Sequence, residues 1–291
     1  MSRHHPGWSS DPVRTATRVA ALEAYFQQHV LRQGAFICAS RGACQASTAH
    51  RFIEGQLHHI GTDYDLSWRG VPVRIAVIGQ EYGRSVSHVS LRARRDMLAN
   101  ESARQRRFHA EPGFRARNPH MRGTTTVLRL LVGYPAGADH EQEYLQVGAR
   151  RIHLFDAFAL TNALLCSALK LDEDGERATS TGRSSGVMRR NCQPHFRRTL
   201  ETLAPTILVV QGNAARRCVE ATVDAIETPC PTVPVAGVRW GDHHALAVFA
   251  SHPAAHGQAS WGLNAQQRYI TETLVPAVRE VRRRLKLDVT V

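Results

Sequence analysis

The sequence predicts an α/β fold of three layers, with helices on both faces of a central, mainly parallel four-stranded sheet. Four short apolar segments, widely spaced along the chain, are the predicted strands: residues 71–78, 152–160, 207–210 and 246–250. Amphipathic helical patterns lie between or after these segments. Strands that alternate with helices run parallel in one sheet, so these two observations together predict the fold class.

Helix-capping residues mark where the helices begin. Asp11, followed by Pro12, is the predicted N-cap of a first helix that reaches residue 32. Asn213 is the predicted cap of a helix that extends to Ile226, and Asn264 that of the final helix. The predicted helices therefore precede, separate and follow the strands.

The composition is that of a globular protein. Hydrophobic residues make up 43% of the chain, and no apolar segment approaches the ~20 residues that a membrane span needs. The first eleven residues are polar and lack the apolar core of a secretory signal, so we expect a cytoplasmic location and no membrane partner. In a reducing compartment, cysteines are expected to be free or to bind metal.

The charge is strongly positive and unevenly distributed. The formal net charge is +12, and residues 84–123 contain ten arginines and three acidic residues, a net of +7. Such a concentration favours a nucleic-acid surface; the alternative is a solvated basic face in an arginine-rich protein. We interpret residues 1–35 as an N-terminal extension and helix, and residues 36–291 as a single domain with a basic insertion at about 84–119.

Polar residues stand directly after each predicted strand. In chain order these segments are Gly79-Gln80-Glu81-Tyr82-Gly83, Thr161-Asn162, Gln211-Gly212-Asn213 and Ser251-His252-Pro253. The carboxyl ends of parallel strands meet at one edge of an open sheet, where ligands bind. We therefore expect Glu81, Asn162 and His252 to converge on one cleft.

Four scattered cysteines, Cys38, Cys44, Cys166 and Cys192, are a candidate metal site assembled only by the fold. Cysteine thiolates are the usual ligands of a [4Fe–4S] cluster, four cysteines also bind zinc, and the third alternative is ordinary core cysteines. The other two cysteines are expected to be packed or free thiols.

These segments resemble the uracil-DNA glycosylase superfamily, in particular its iron–sulfur families 4 and 5. The similarity is carried, in order, by Gly79-Gln80-Glu81-Tyr82-Gly83, by Thr161-Asn162-Ala-Leu-Leu-Cys166, by Asn191-Cys192-Gln-Pro194 and by His252-Pro253-Ala254. It extends from about Cys38 to the C-terminus. The chain departs from the family where Tyr82 replaces a proline, and where Cys38 and Cys44 are more widely spaced than Cys-x-x-Cys.

The resemblance implies a monofunctional DNA glycosylase with a uracil-DNA glycosylase-like domain, a [4Fe–4S] cluster held by the four cysteines, and zinc as the less favoured metal. Glu81 would stabilise the developing sugar cation and orient water, and His252 would donate a hydrogen bond to the pyrimidine O2. Asn162 would read the edge of the flipped base. Gly79 and Gln80 would line the pocket, and His120 is the candidate base-stacking residue.

The resemblance also suggests how DNA is bound. Arg183, Arg189 and Arg190 form a candidate phosphate-contact set. The segment after His252 would enter the gap left by the flipped base, with His256, Gln258 or Trp261 as the inserted side chain. DNA is the expected partner of a monomer, with no obligate protein partner.

The identity of the base stays open between uracil and a 5-modified pyrimidine. Gly83 stands where the strict uracil enzymes carry a tyrosine that blocks a 5-substituent, so hydroxymethylated or glucosylated pyrimidines of phage DNA are an alternative, with antiviral defence as the role. A second alternative is a non-catalytic iron–sulfur protein that binds nucleic acid. No lysine stands at the predicted cleft, so a Schiff-base mechanism is unsupported.

Overall fold

The computed structural model describes residues 7–105, 118–137, 140–171, 178–180, 183–262 and 264–288. The α-helices in these residues are α1 (Pro12–His29), α2 (Arg41–Ala46), α3 (Leu91–Gln105), α4 (Pro119–Leu131), α5 (Gly186–Leu203), α6 (Asn213–Thr222) and α7 (Val275–Arg284). The strands are β1 (Trp8–Ser10), β2 (Leu31–Arg32), β3 (Ala35–Phe36), β4 (Arg51–Ile53), β5 (His59–Ile60), β6 (Leu66–Trp68), β7 (Val71–Pro72), β8 (Ile75–Gly79), β9 (Tyr144–Val147), β10 (Arg150–His153), β11 (Phe158–Asn162), β12 (Ser167–Leu171), β13 (Ala178–Ser180), β14 (Ile207–Gln211), β15 (Ala225–Glu227), β16 (Val235–Trp240) and β17 (His243–Ala250).

Within the described residues, the central sheet contains seven strands in the order β15-β16-β17-β14-β8-β11-β5. Its four middle strands, β17, β14, β8 and β11, pair in parallel, whereas β15, β16 and β5 are antiparallel to their neighbours. The prediction of an α/β fold is confirmed. The prediction of a four-stranded sheet is wrong, because three antiparallel strands extend it: β16 pairs with β17 through a tight turn at Gly241 and Asp242, β15 pairs with β16, and β5 pairs with β11.

Helices cover both faces of this sheet. The side chains of Ala76 and Ile78 join a core formed with α1, α5 and α6. Those of Ile75 and Val77 point to the opposite face and join a core with α4 and α7. Alternate residues of a strand face opposite sides, so a fully apolar strand such as β8 needs a layer on each side.

The first helix was predicted closely, and later ones less so. The Asp11 side chain accepts a 2.9 Å hydrogen bond from the backbone N–H of Arg14, which caps α1 before Pro12. Gly212, not Asn213, is the N-cap of α6, and the helix ends before Ile226, which lies in β15. The final helical region begins as a π-helix at Ile270–Leu274 and continues as α7.

Two predicted strands are each divided in the structure. The segment 71–78 forms β7 and then β8, because Pro72 lacks the N–H that a continuous ladder needs. The segment 152–160 is interrupted by a 3₁₀ turn over Leu154–Asp156, which the His153 ring caps by accepting from Phe155 N. Among the described helices, none is both long and apolar enough to cross a membrane.

Candidate functional site: a cleft at the carboxyl edge of the sheet

A cleft of about 550 Å³ opens at the carboxyl ends of the four parallel strands. The register brings these ends level, with Asn162 opposite Gly79 and Gln211 opposite Ala250. The lining residues include all the polar side chains predicted to converge, together with several that were not predicted: Gly79, Gln80, Glu81, Tyr82, Gly83, Arg84, Arg94, Met97, Leu98, Asn118, His120, Met121, Leu160, Asn162, Gln211, Gly212, Asn213, Ala214 and His252. Glu81, Asn162 and His252 thus lie in one cavity.

The turn after β8 is held against β11. The backbone N–H groups of Ala163 and Leu164 donate to the carbonyls of Gly79 and Gln80, each at 2.9 Å. A Cβ on residue 79 would lie 3.1 Å from Asn162 Oδ1, so glycine lets the Asn162 amide approach the backbone. Gly83 has φ +71°, a conformation that favours glycine.

Glu81 is half-buried in this turn, and its Oε2 accepts a hydrogen bond from the Ser184 hydroxyl. Ser184 is buried and immediately precedes Ser185, the N-cap of α5. A buried hydroxyl that donates to a carboxylate restrains that carboxylate's orientation. The carboxylate at the end of β8 is therefore aligned from a distant part of the chain.

Asn162 is 4% exposed, and its Nδ2 has no hydrogen-bond partner in the part of the chain that the structure describes. Its backbone N–H donates to His58 Nδ1 at 3.3 Å, and His58 Nε2 lies 3.2 Å from Thr199 Oγ1. Burial lowers the pKa of His58 to about 3, so the ring is neutral. The neutral His58 ring accepts at Nδ1 and therefore donates from Nε2 to Thr199. These two bonds hold the backbone of Asn162 in place.

Gln211, at the end of β14, is a site residue that the sequence prediction left without a role. It is 2% exposed, and its Nε2 donates to Thr124 Oγ1 at 3.3 Å. Among the described residues, Gln211 Oε1 and the buried Gln80 Nε2 have no partner. The described part of the cleft thus contains two unsatisfied donors, on Asn162 and Gln80, and one unsatisfied acceptor, and buried amides without partners are costly. The position of Gln211 after an apolar run was the only sequence signal for it.

His252 lies at the rim of the cleft. The backbone N–H of Ala254 donates to His252 Nδ1 at 3.1 Å, so in the neutral ring Nε2 carries the proton and is a donor. Partial desolvation lowers the pKa of His252, which favours this neutral form. The His120 ring lies 6.0 Å from the His252 ring, between centroids, and burial lowers the pKa of His120 to about 4.

Tyr82 connects the cleft to the basic segment. The Arg94 guanidinium lies 3.4 Å from the centroid of the Tyr82 ring, and the Tyr82 hydroxyl donates to Met97 Sδ at 3.4 Å. Arg94 and Met97 belong to α3, within the predicted insertion 84–119. The first helix of this segment therefore forms one wall of the cleft, whereas residues 106–117 lie outside the described residues.

The loop after β17 is held against the protein core by Trp261. Trp261 is 2% exposed and its Nε1 donates to Ser251 Oγ at 2.8 Å, so the prediction that Trp261 inserts into DNA is wrong. The indole packs beside Pro253 at Gly123, which holds the loop down. His256 and Gln258 are exposed on the same loop and do not line the cleft.

The predicted phosphate-contact residues lie beside the cleft without lining it. Arg183 and Arg190 are exposed, and Arg189 is half-buried, with NH1 donating to the Ser184 carbonyl at 2.8 Å. Arg189 and Arg190 border a separate groove with Arg217, a residue that was not predicted.

The four cysteines line one small cavity away from the cleft, with Cys44, Cys166 and Cys192 buried and Cys38 half-buried. All six cysteines of the chain are free. Burial, together with a smaller effect of neighbouring cysteines, raises the pKa of Cys166, Cys192 and Cys38, that of Cys192 to about 12. Backbone amides of Gly55, Leu165 and Ser40 act in the opposite direction on these three thiols.

Within the described residues, no group of three or more His, Cys, Asp or Glu side chains lies close enough together to hold a metal ion. His195 was not predicted near the cysteines, but its Nε2 lies 3.8 Å from Cys38 Sγ and its Nδ1 lies 2.9 Å from the Tyr25 hydroxyl. The donor set around the cavity is therefore four thiols and one imidazole, in an apolar surrounding that includes Phe36 and Phe52.

No protein-family model matches this chain, and no curated protein matches it.

Proposed function

We propose that the protein is a monofunctional DNA glycosylase that flips a pyrimidine nucleotide into the cleft and hydrolyses its N-glycosidic bond. The observation that supports this proposal best is the convergence of Glu81, Asn162 and His252 at one edge of the sheet. One carboxylate, one base-reading amide and one hydrogen-bond donor are the three groups that the reaction needs. The motif resemblance to the uracil-DNA glycosylase superfamily supports the same reaction class.

The chemistry is divided between the sugar and the base. As the C1′–N1 bond breaks, its electron pair leaves with the base, and positive charge develops on the sugar. Glu81, oriented by Ser184, stabilises that charge and accepts a proton from the water that attacks C1′. The products are the free base and an abasic site.

His252 stabilises the leaving base. Negative charge accumulates on the pyrimidine O2, and His252 Nε2–H donates a hydrogen bond to that oxygen. A neutral donor suffices for this role, in agreement with the lowered pKa of His252. The two lysines of the chain, Lys170 and Lys286, do not line the cleft, so the mechanism uses water and not a Schiff base.

The pocket amides supply base recognition. Asn162 Nδ2 and Gln80 Nε2 offer donors, and Gln211 Oε1 offers an acceptor. Uracil and cytosine derivatives each present both acceptors and a donor, so these groups suit a flipped pyrimidine. Because Gly83 lacks a side chain that would block a 5-substituent, the cleft favours a 5-modified pyrimidine. If the substrates are the hypermodified bases of phage DNA, the enzyme would act in antiviral defence.

We propose that Cys38, Cys44, Cys166 and Cys192 hold a [4Fe–4S] cluster, because all four line the same cavity. The four thiols surround one apolar cavity, and backbone amides act on three of the sulfurs, an environment that iron–sulfur clusters use. Zinc would need all four sulfurs about 2.3 Å from one ion, and within the described residues no three of them lie close enough for that, whereas a cluster would be held by one thiolate from each cysteine. The cluster would join the N-terminal segment to α5 and to the connection between β11 and β12, away from the cleft.

The test is base release from DNA containing uracil and from DNA of phages with hydroxymethylated or glucosylated pyrimidines, analysed by mass spectrometry. We expect Glu81→Gln and His252→Ala to lose release while DNA affinity is retained. Glu141→Gln, a change to an exposed carboxylate remote from the cleft, is the matched control and should keep activity. DNA binding without release of any base would favour the non-catalytic alternative.

A further inference from the structure

We propose that a groove beside the cleft binds backbone phosphates of the DNA strand that carries the flipped nucleotide. This arginine groove is lined by Arg189, Arg190 and Arg217, with Phe196 and Cys218 among its buried floor residues. Its volume is about 270 Å³, and it lies between α5 and α6. The identity of the partner rests on the proposed function, whereas the anion preference rests on the groove alone.

The charges of the arginine groove are not neutralised within the described residues. No carboxylate there lies within 4.0 Å of the guanidinium groups of Arg189, Arg190 or Arg217. Other arginines of the same two helices are paired: Arg197 with Asp224 at 2.8 Å, and Arg216 with Glu220 at 2.7 Å. Three like charges around one concave surface repel each other, and an anion relieves that repulsion.

The arginine groove is a separate cavity that adjoins the cleft along β11 and α6. Ala163, which lines the groove, directly follows Asn162, which lines the cleft. The first residues of α6, Asn213 and Ala214, also line the cleft, while Arg217 lies one turn further along the same helix. A strand whose nucleotide occupies the cleft can therefore continue into the groove.

A short hydrogen-bonded path also joins the two sites. Arg189 NH1 donates to the Ser184 carbonyl at 2.8 Å, and the Ser184 hydroxyl donates to Glu81. Burial raises the pKa of Cys218 on the groove floor, the charges of Arg189 and Arg217 lower it, and the charge of Glu81 raises it. A phosphate between these arginines would lie near the catalytic carboxylate without contacting it.

A phosphodiester backbone is the occupant that fits best. Arginine guanidinium groups bind phosphate oxygens in a planar, bidentate manner. A neutral ligand would leave three charges uncompensated. Inorganic phosphate offers the same oxygen atoms to the arginines but is a single phosphate group. The experiment must therefore distinguish DNA phosphates from free phosphate.

The test measures the affinity of the full-length protein for a fluorescein-labelled DNA oligonucleotide that contains no target base, by anisotropy over a range of salt concentrations. For Arg190→Gln/Arg217→Gln we expect affinity to fall about tenfold at moderate salt, and the slope of log Kd against log salt to fall by about 2. Arg216→Gln/Arg198→Gln, on the same helices, is the matched control and should change the slope much less. Circular dichroism and thermal unfolding verify that each variant is folded.

Equal slopes for the groove variant and the wild type would overturn the proposal. It would also be overturned if inorganic phosphate bound to the groove at matched ionic strength while DNA affinity did not depend on Arg190 and Arg217. The measurement requires no base release. If the wild type binds DNA through the groove but releases no base, the proposed glycosylase reaction is wrong, whereas the proposal that the groove binds DNA phosphates is retained.

Discussion

The hydroxyl of Ser184 donates a hydrogen bond to Oε2 of Glu81, and thereby joins the start of α5 to the carboxylate that follows β8. The two residues are 103 positions apart in the chain. Among the described residues that line the cleft, Glu81 is the only carboxylate. Ser184 therefore restrains the orientation of the Glu81 carboxylate, and in the proposed mechanism it would help to position the attacking water.

Replacement of Ser184 by alanine should slow base release about tenfold or more, because a hydrogen bond to a charged group contributes about 1.5–3 kcal/mol. The effect should appear in kcat, since Glu81 acts on the transition state, and KM should change little. Single-turnover base release measures it. Ser184→Thr retains the hydroxyl and should recover most of the rate, and an unchanged rate in Ser184→Ala would refute the positioning role.

Gln211→Met should separate activity from stability. The substitution removes the hydrogen bond to Thr124 and also an unpaired buried oxygen, so the free energy of unfolding should change by less than about 1 kcal/mol. Loss of the acceptor should lower kcat/KM about tenfold or more for the preferred base. Gln146→Met, on β9, is the control. Equal activity of both variants would show that Gln211 does not contact the base.

Gly83→Ala should change the preference among bases. Alanine at φ +71° is strained, so the free energy of unfolding should fall by about 1 kcal/mol, and any displacement of the turn should affect release of every base alike. The added methyl group at the cleft wall should reduce release of a 5-substituted pyrimidine more than release of uracil. The ratio of the two rates, measured on otherwise identical oligonucleotides, cancels the common strain, and a constant ratio would argue against a role of residue 83 in specificity.

Cys166→Ala and Cys192→Ala should lose bound iron and acid-labile sulfide and should unfold at lower temperature. Cys218→Ala removes a buried cysteine of α6 that does not line the cysteine cavity, and it should retain both iron and stability closer to the wild type. Metal and sulfide analysis of the purified proteins checks this. Stoichiometric zinc in the wild type would contradict the cluster.

Acid should destabilise the protein through its buried histidines. Burial lowers the pKa of His58 and of His59 to about 3, against about 6.5 in the unfolded chain. Between these two values the unfolded state binds more protons, so stability falls as pH falls from about 6.5 to about 3. At pH 5 each histidine should reduce the free energy of unfolding by roughly 2 kcal/mol relative to neutral pH.

Urea unfolding at several pH values measures this dependence. His58→Gln retains an acceptor for Asn162 N and a donor for Thr199, and it should reduce the pH slope by nearly one proton. His244→Gln, at an exposed position, should leave the slope as it is. A wild-type stability that is flat between pH 7.5 and 5 would contradict the prediction.

Local patterns were sufficient for the elements that build the floor of the cleft. The apolar segments predicted β8, β11, β14 and β17 because buried parallel strands need apolar residues on both faces. Asp11 and Pro12 predicted the start of α1 because the capping group lies within three residues of the N–H that it satisfies. The convergence of the residues after each strand could be predicted as well, since the carboxyl ends of parallel strands lie at one edge of the sheet.

The sequence by itself thus determined the class of fold and the convergence of Glu81, Asn162 and His252. The tertiary structure alone decided that β16 pairs with β17, that α3 brings Arg94 to the cleft, and that Ser184 orients Glu81. It also placed Trp261 in the core and Arg217 beside Arg189. Periodicity and capping are local, whereas these contacts join residues far apart in the chain and depend on how complete layers pack.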